Sequence, residues 1–424
     1  MPDVPVRGLV FDPFDPFDPR WVTDPFPLYA ELRQEAPVHR NHLGFWVLSR
    51  HADCLALLRD RRASSDSTRV DAARLAFRLR RDPAATRAAD PARTRAAAAM
   101  VEARPFLFRD PPDHTRLRGL VSKAFTPRVV ESMRPRTQQI VDELLDAALD
   151  EGDVDLLRAL AYPLPVQVIC ELLGVPAEDQ DRFQAWSGAL ARGIDPEFLL
   201  PDEVVDARQA AVVEFAQYFF ELLAERRASP GDDLISALAL AEDGGDTLNE
   251  AELLSTCILL LVAGHETTVN LISGGVHALL CHPDQWRRLR QDPGIVRNGV
   301  EELLRFVSPV QFTVRTIVED LDLAGVPMEE GDFVMALLGS GNHDPEAFVD
   351  PERLDLGRAN VNHLGFGFGI HHCLGAPLAR METQVALTAL ARRAPNVALA
   401  TDTVSYRPTV ALRGLEALPV SLRG

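Results

Sequence analysis

With 424 residues the chain can build one large domain or two to three smaller ones, and its 46% apolar and 25% charged composition is that of an ordinary globular protein. Its 44 basic residues against 62 acidic ones leave a formal charge of −18, which argues against nucleic acid and anionic membrane surfaces as general partners. The five cysteines, Cys54, Cys170, Cys257, Cys281 and Cys373, are widely spaced and form no CxxC pair, so neither a disulfide framework nor a zinc site is indicated, and a reducing cytoplasm is expected.

The N-terminus lacks a basic start followed by an apolar stretch, and no unbroken run of ~18 apolar residues occurs, so neither a secretory signal nor a membrane span is expected. "DPFDPFDP" (12–19) carries Pro at every third place, which prevents helix; residues 1–24 therefore read as an extended arm whose phenylalanines can dock on the body. A helix is expected over 25–35, then a hairpin over 38–50 around "NHLG", then a helix in "ADCLALLRD" with Cys54 on its apolar face. Residues 61–104 hold 11 Arg against five acids, many alanines and two Asp-Pro breaks; this reads either as a solvated basic insertion or as a lid over a pocket.

From residue 114 the pattern is helical for a long way. Helices are expected over 114–123, 128–150, 162–174, 177–192, 202–227 and 232–240, then one long helix over 250–281. Asn249 can cap that helix, with Glu252 as the returning partner of a capping box. Two more follow over 283–291 and 294–307. Strand-like text is confined to 310–318, 333–337 and the C-terminal "ALPVSLR". The sum is mainly α with a minor β-sheet region, in a single large domain over 25–424.

"FGFGIHHCLGAPLAR" (366–380) sets Cys373 among Gly367, Gly369 and Gly375, just before a helix. A buried cysteine is usually a small hydrophobe, and Cys170 and Cys257 read that way. Cys373 differs: tight glycine turns allow close approach by something large, and a helix N-terminus favours a sulfur anion. A thiolate serves as nucleophile or metal ligand. A nucleophile would want His371 or His372 as base; a haem iron wants one thiolate, an aromatic neighbour such as Phe366 and cations for two propionates.

The segment resembles the haem-binding loop of the cytochrome P-450 superfamily, Phe-Gly-x-Gly-x-His-x-Cys-x-Gly, with Phe366, Gly367, Gly369, His371, Cys373 and Gly375 at every fixed place. Further segments follow the family's order, so the resemblance covers nearly the whole chain. "AGHETT" (263–268) is similar to the oxygen-activation motif and implies that Glu266 and Thr267 deliver protons to dioxygen. Gly264 before Thr267 suggests a local widening of that helix. In "EELLR" the resemblance implies a buried Glu302–Arg305 pair joined by Arg353 of "DPERLDL", a structural triad that holds the cysteine loop. "HTRLR" alone would read as a salt-bridged surface helix; the resemblance assigns His114 and Arg118, with Arg315 and His371, to the propionates.

The implied fold is the cytochrome P-450 fold, and the implied cofactor is haem b with Cys373 as iron ligand. The implied reaction inserts one oxygen atom of O2 into an apolar organic substrate, by hydroxylation or epoxidation, in small-molecule or secondary-metabolite oxidation. By matching regions, Phe106, Leu107, Ala263, Val310, Phe312, Leu412 and residues 195–200 should line the pocket. No flavin domain is attached, so electrons are expected from a ferredoxin or flavodoxin with a separate reductase. Arg116 and Lys123 are the candidate basic contacts for it. Oxidative coupling, peroxide-driven oxidation and a non-catalytic haem sensor stand as alternatives. Substrate identity and oligomeric state are not encoded in these motifs.

Overall fold

The computed structural model describes residues 14, 18, 20–69, 104–192, 195, 200–243 and 245–423. Most of the basic 61–104 segment, residues 196–199 of the expected pocket and most of the N-terminal arm lie outside that set. Phe14 of the arm is buried and packs on Trp21 and Phe45, with ring centroids 4.7 and 6.4 Å away.

Eleven helices of nine or more residues are present among the described residues: α1 Phe26–Glu35, α2 His51–Arg59, α3 Asp113–Ala124, α4 Arg134–Glu151, α5 Pro163–Leu173, α6 Gln180–Arg192, α7 Asp202–Ala228, α8 Glu250–Cys281, α9 Pro283–Gln291, α10 Val296–Val307 and α11 Ala376–Arg393. The expected 128–150 helix is two: Pro127–Ser132 and α4 meet at Met133, because Pro135 can open a helix but cannot continue one. α8 begins where the capping box places it. Asn249 accepts from the Glu252 N–H at 2.9 Å, and Glu252 accepts from the Asn249 N–H at 3.0 Å.

By length and composition α8 could cross a membrane, with a mean hydropathy of 1.3 over its most apolar window; 61% of that window is buried inside the protein. α5, α6, α7, α10 and α11 surround it, so its apolar residues are spent on the core. It is α-helical throughout, without the widening expected at Gly264. Instead the Thr267 and Thr268 hydroxyls donate to the carbonyls of Ala263 and Gly264 at 2.8 and 2.9 Å.

A five-stranded sheet takes residues from both ends of the chain. Its strands are β1 Val38–Arg40, β2 Trp46–Leu48, β3 Ala63–Ser64, β5 Thr313–Ile317 and β6 Phe333–Ala336, in the order β1-β2-β6-β5-β3, antiparallel except for β2 and β6. A smaller antiparallel sheet joins β4 Asp153–Asp155, β7 Ala398–Leu399 and β8 Pro419–Ser421 with β8 central. β5 carries Arg315; Phe312 just before it, and Val314 within it, pack with Phe45, Met335 and Leu337 in the sheet-side core. Phe312 is thus part of that core and as buried as Leu412.

Candidate active site

The loop that carries Cys373 is pinned by two charged clusters on neighbouring helices. In the first, Glu302 and Arg305 of α10 are completely buried and bidentate, at 2.8 and 2.9 Å. The third member is Arg358, not Arg353: its Nε donates to both Glu302 oxygens at 3.0 Å. Arg353 contributes only its backbone carbonyl, which accepts from Arg305 at 3.3 Å and Arg358 at 2.7 Å. Arg305 also donates to the Asn342 and Pro351 carbonyls, and the Asn342 side chain accepts from the Leu364 N–H at 2.7 Å, at the start of the cysteine loop. A carboxylate and guanidinium so fully hydrogen-bonded are tolerated in the interior; removing one partner would leave a buried charge bare.

The second cluster was not foreseen. Glu301, the neighbour of Glu302, accepts from Arg380 of α11 at 2.6 and 2.8 Å and meets His363 at 3.1 Å. Burial opposes its charge, but the bonds from His363 and Arg380 outweigh it and bring its pKa down to about 2. Arg380 in turn lies over the Phe366 ring, 4.5 Å from its centroid. The doubled glutamate of "EELLR" and an Arg seven places after the cysteine were the available signals.

Gly367 and Gly369 adopt φ of +65° and +71°, and a Cβ on Gly369 would stand 2.6 Å from the Leu58 carbonyl. The chain thus turns sharply and brings Cys373 to the N-terminus of α11, beside Gly375, its N-cap residue. Burial pushes the Cys373 thiol up, but N–H groups of Gly375 and Ala376 and the charges of Arg118 and Arg380 pull the other way. Cys170 and Cys257 have no such donors, and burial raises both to about 12. Cys373 is the cysteine equipped to hold negative charge.

Four donors from three segments converge beside it. His114 and Arg118 come from α3, Arg315 from β5 and His371 from the cysteine loop. The His114 and His371 rings are 4.3 Å apart. Burial, with Arg315, His114 and Arg118 nearby, lowers His371 to about 3; burial lowers Arg315 to about 10. Among the described residues, no carboxylate forms an ion pair with Arg118 or Arg315. Both His114 nitrogens and His371 Nδ1 are buried without a partner. Such a crowd of orphaned donors calls for an anion with several acceptor oxygens.

On α8, Ala263 and Thr267 are one turn apart, Ala263 exposed and Thr267 half-buried, on the same side of a mostly buried helix. Glu266 points elsewhere. It is buried and ion-paired to Arg407 at 2.6 Å, so its carboxylate and the Thr267 hydroxyl are not joined directly. His265 is also buried: its Nδ1 lies 2.6 Å from the Ser187 hydroxyl, and burial lowers it to about 4. Phe106 is buried edge-on to His114, and Val310 bridges Leu412. Arg116 is committed to Glu252 of the capping box, and Lys123 donates to the Glu242 carbonyl at 3.1 Å. These are the contacts the structure gives the two residues expected to meet an electron donor.

The Cytochrome P450 family model matches residues 71–393. The chain belongs to the cytochrome P450 family. It is 40% identical to the polyketide biosynthesis cytochrome P450 PksS of Bacillus subtilis, over 94% of this chain and 96% of that one. It is 42% identical to the cytochrome P450 monooxygenase PikC of Streptomyces venezuelae, covering 95% and 92%. The solved structure of PksS superposes with a TM-score of 0.86, covering 97% of this chain and all of that one at 39% identity. That of P450BioI, solved with an acyl carrier protein bearing hexadec-9Z-enoic acid, gives 0.84 at 36% identity, over 95% and all of the two chains. The P450 is therefore an oxidoreductase that uses haem b. The orphaned donors of His114 and His371, beside buried Arg315 and a cysteine held among N–H groups, fit that group: two carboxylates and one iron ligand.

Proposed function

We propose that this P450 is a monooxygenase that inserts oxygen into an apolar, medium to large organic substrate, with Cys373 as the residue whose thiolate would hold the haem iron. One C–H bond, O2, two electrons and two protons give one C–OH and one water. The haem, once bound, supplies the oxygen activation and the redox chemistry. What the chain's own residues do can be derived from their places. The Gly375 and Ala376 N–H groups hold charge on the Cys373 sulfur. His114, Arg118, Arg315 and His371 would hold the propionates of the bound haem, and Phe366, with Arg380 over its ring, would shield the sulfur. Thr267 would hold a proton at its hydroxyl; Glu266, ion-paired to Arg407 on another side of α8, can exchange protons with it only through an intervening donor such as water.

The convergence of four donors on one thiolate-ready cysteine carries this reading. Substrate would lie beside Ala263, Thr267, Val310, Phe312 and Leu412, with Phe106 and Leu107 of the turn that precedes and packs on α3. Polyketide tailoring is supported by the names of PksS and PikC and by the apolar lining, and a cytoplasmic setting fits it. Electrons come from a ferredoxin or flavodoxin docking on the cysteine side. There Phe368 and Ile370 of the loop are 38% and 50% exposed, and Arg59 lies 4.4 Å from the Phe368 ring centroid. That encounter weakens with salt. Replacing Thr267 with Ala tests the reading: consumed O2 should appear largely as hydrogen peroxide, and an unchanged peroxide fraction would refute the proton path.

A further inference from the structure

Glu301 and Glu302 stand side by side on α10 and serve different partners. Glu302 is sealed in the interior with Arg305 and Arg358. Glu301 and its partner Arg380 of α11 are 24% and 32% exposed, and an ion pair so placed adds little to stability. What distinguishes the pair is its place. Arg380 Nε and Nη2 both donate to Glu301, at 2.6 and 2.8 Å, which holds a long, flexible side chain in one plane. There the guanidinium lies 4.5 Å from the centroid of the Phe366 ring. Phe366 is in turn tied to the cysteine, since its carbonyl accepts from the Cys373 N–H at 2.9 Å. The Arg380 charge reaches the sulfur, where with that of Arg118 it opposes the effect of burial on the thiol. His363 completes the holder. Its Nδ1 accepts from the Gly365 N–H at 3.0 Å, so its ring proton sits on Nε2, which faces Glu301 at 3.1 Å. Glu301 is thus fixed from two sides.

Reduction of a thiolate-bound iron adds one electron, and with it one negative charge, beside that sulfur. A cation nearby favours the added charge and an anion opposes it. We propose that Glu301 and Arg380 set the reduction potential of the bound haem: Arg380 favours the reduced iron from over the Phe366 ring, and Glu301 is the positioning residue that keeps it there and offsets its charge. This rests on the reading of Cys373 as the iron's thiolate. The potential decides which electron donor can reduce the enzyme, so the pair adjusts the P450 to its donor. A pair that served only to pin the loop would give a different result. Loss of either member would then loosen the loop in the same way, whereas a charge effect has opposite signs for the two. Without Glu301 the cation stands unopposed, and without Arg380 the anion does.

The test is an equilibrium titration of the haem-loaded, substrate-free enzyme, without turnover or a protein donor. Dithionite supplies the electrons under anaerobic conditions, and a mediator dye passes one to each ferric iron to give ferrous iron. The ratio of reduced to oxidised haem is read at the wild-type midpoint. Glu301→Gln should raise that ratio about threefold or more and Arg380→Met should lower it as much, a shift of ~28 mV each way at ~59 mV per tenfold for one electron. Arg380→Lys, which keeps the charge, should lie between Arg380→Met and the wild type, and the double variant between the two single ones. Arg380→Gln replaces Arg380→Met if the latter does not take up haem. Arg393→Met, which breaks the ion pair to Asp142 and Asp146 at the other end of α11, should leave the ratio unmoved. Each sample is then exposed to carbon monoxide and its Soret band recorded. Opposite shifts with the thiolate band retained uphold the proposal. If the band is retained but the two shifts share a sign, or either is absent, the assignment of Glu301 and Arg380 is wrong and the thiolate reading stands. If the wild type itself lacks the band, that reading falls, and this proposal with it.

Discussion

Two clusters of arginine lie against the same cysteine loop, and they are finished differently. Around Glu302, every guanidinium nitrogen of Arg305 and Arg358 has an acceptor within the chain. Around His371, Arg315 bonds only the Thr313 hydroxyl and the Val314 carbonyl, Arg118 donates to the His372 carbonyl, and three histidine nitrogens have nothing. The first cluster is complete without help and belongs to the fold. Among the described residues the second is left with donors unmet, as a site for an anion would be. Satisfaction of donors, more than the kind of residue, separates scaffold from site.

The comparison can be broken most directly at Glu302. Glu302→Ala should cost on the order of 3–5 kcal/mol, because two buried guanidinium groups lose their carboxylate, and the variant should express without folding. A soluble variant with a near-native urea midpoint would contradict the scaffold role. Arg315→Met should behave in the opposite sense. The haem-free protein should be no less stable, since a buried cation with no carboxylate partner is removed. The loaded enzyme should lose haem to apomyoglobin at least roughly tenfold faster, and up to about 150-fold, as expected for a charged hydrogen bond of ~1.5–3 kcal/mol.

His265 offers a smaller effect with a definite sign. Its folded pKa, about 4, lies below its ordinary 6.5, so the unfolded chain takes the proton first. Its contribution is fully present above pH ~6.5 and is lost as pH falls toward 4, on the order of 3 kcal/mol in all. His265→Asn should flatten the fall in urea midpoint over that window; an unchanged slope would refute the buried neutral histidine. The smallest effect is the most discriminating within the scaffold. Arg353→Ala should change stability by under ~0.5 kcal/mol, since only its carbonyl is used, while Arg358→Ala should cost at least ~2 kcal/mol.

Much of this was legible in the sequence because it is local. The capping box of Asn249 and Glu252 marks the start of α8, and the glycines around Cys373 mark a tight turn before a helix. The choice between Arg353 and Arg358 was not local. Both follow Pro351 in an irregular loop, and only its course decides which side chain reaches Glu302. β4 was missed for a similar reason: three residues, "DVD", become a strand only because residues 419–421 lie beside them. The packing of Phe312 with Val314 in the sheet-side core likewise depends on strands distant in sequence. Arg407 stands 141 residues from Glu266, and no spacing rule joins them.

The central claim is that the donors around position 373 are arranged for a sulfur anion bonded to haem iron. It is tested by reducing the haem-loaded enzyme under carbon monoxide and recording the Soret band. The wild-type protein should show the red-shifted band of thiolate ligation, and Cys373→Ala should lose it while Cys170→Ala and Cys257→Ala retain it. A wild-type spectrum without that band, or one that survives Cys373→Ala unaltered, would contradict the account.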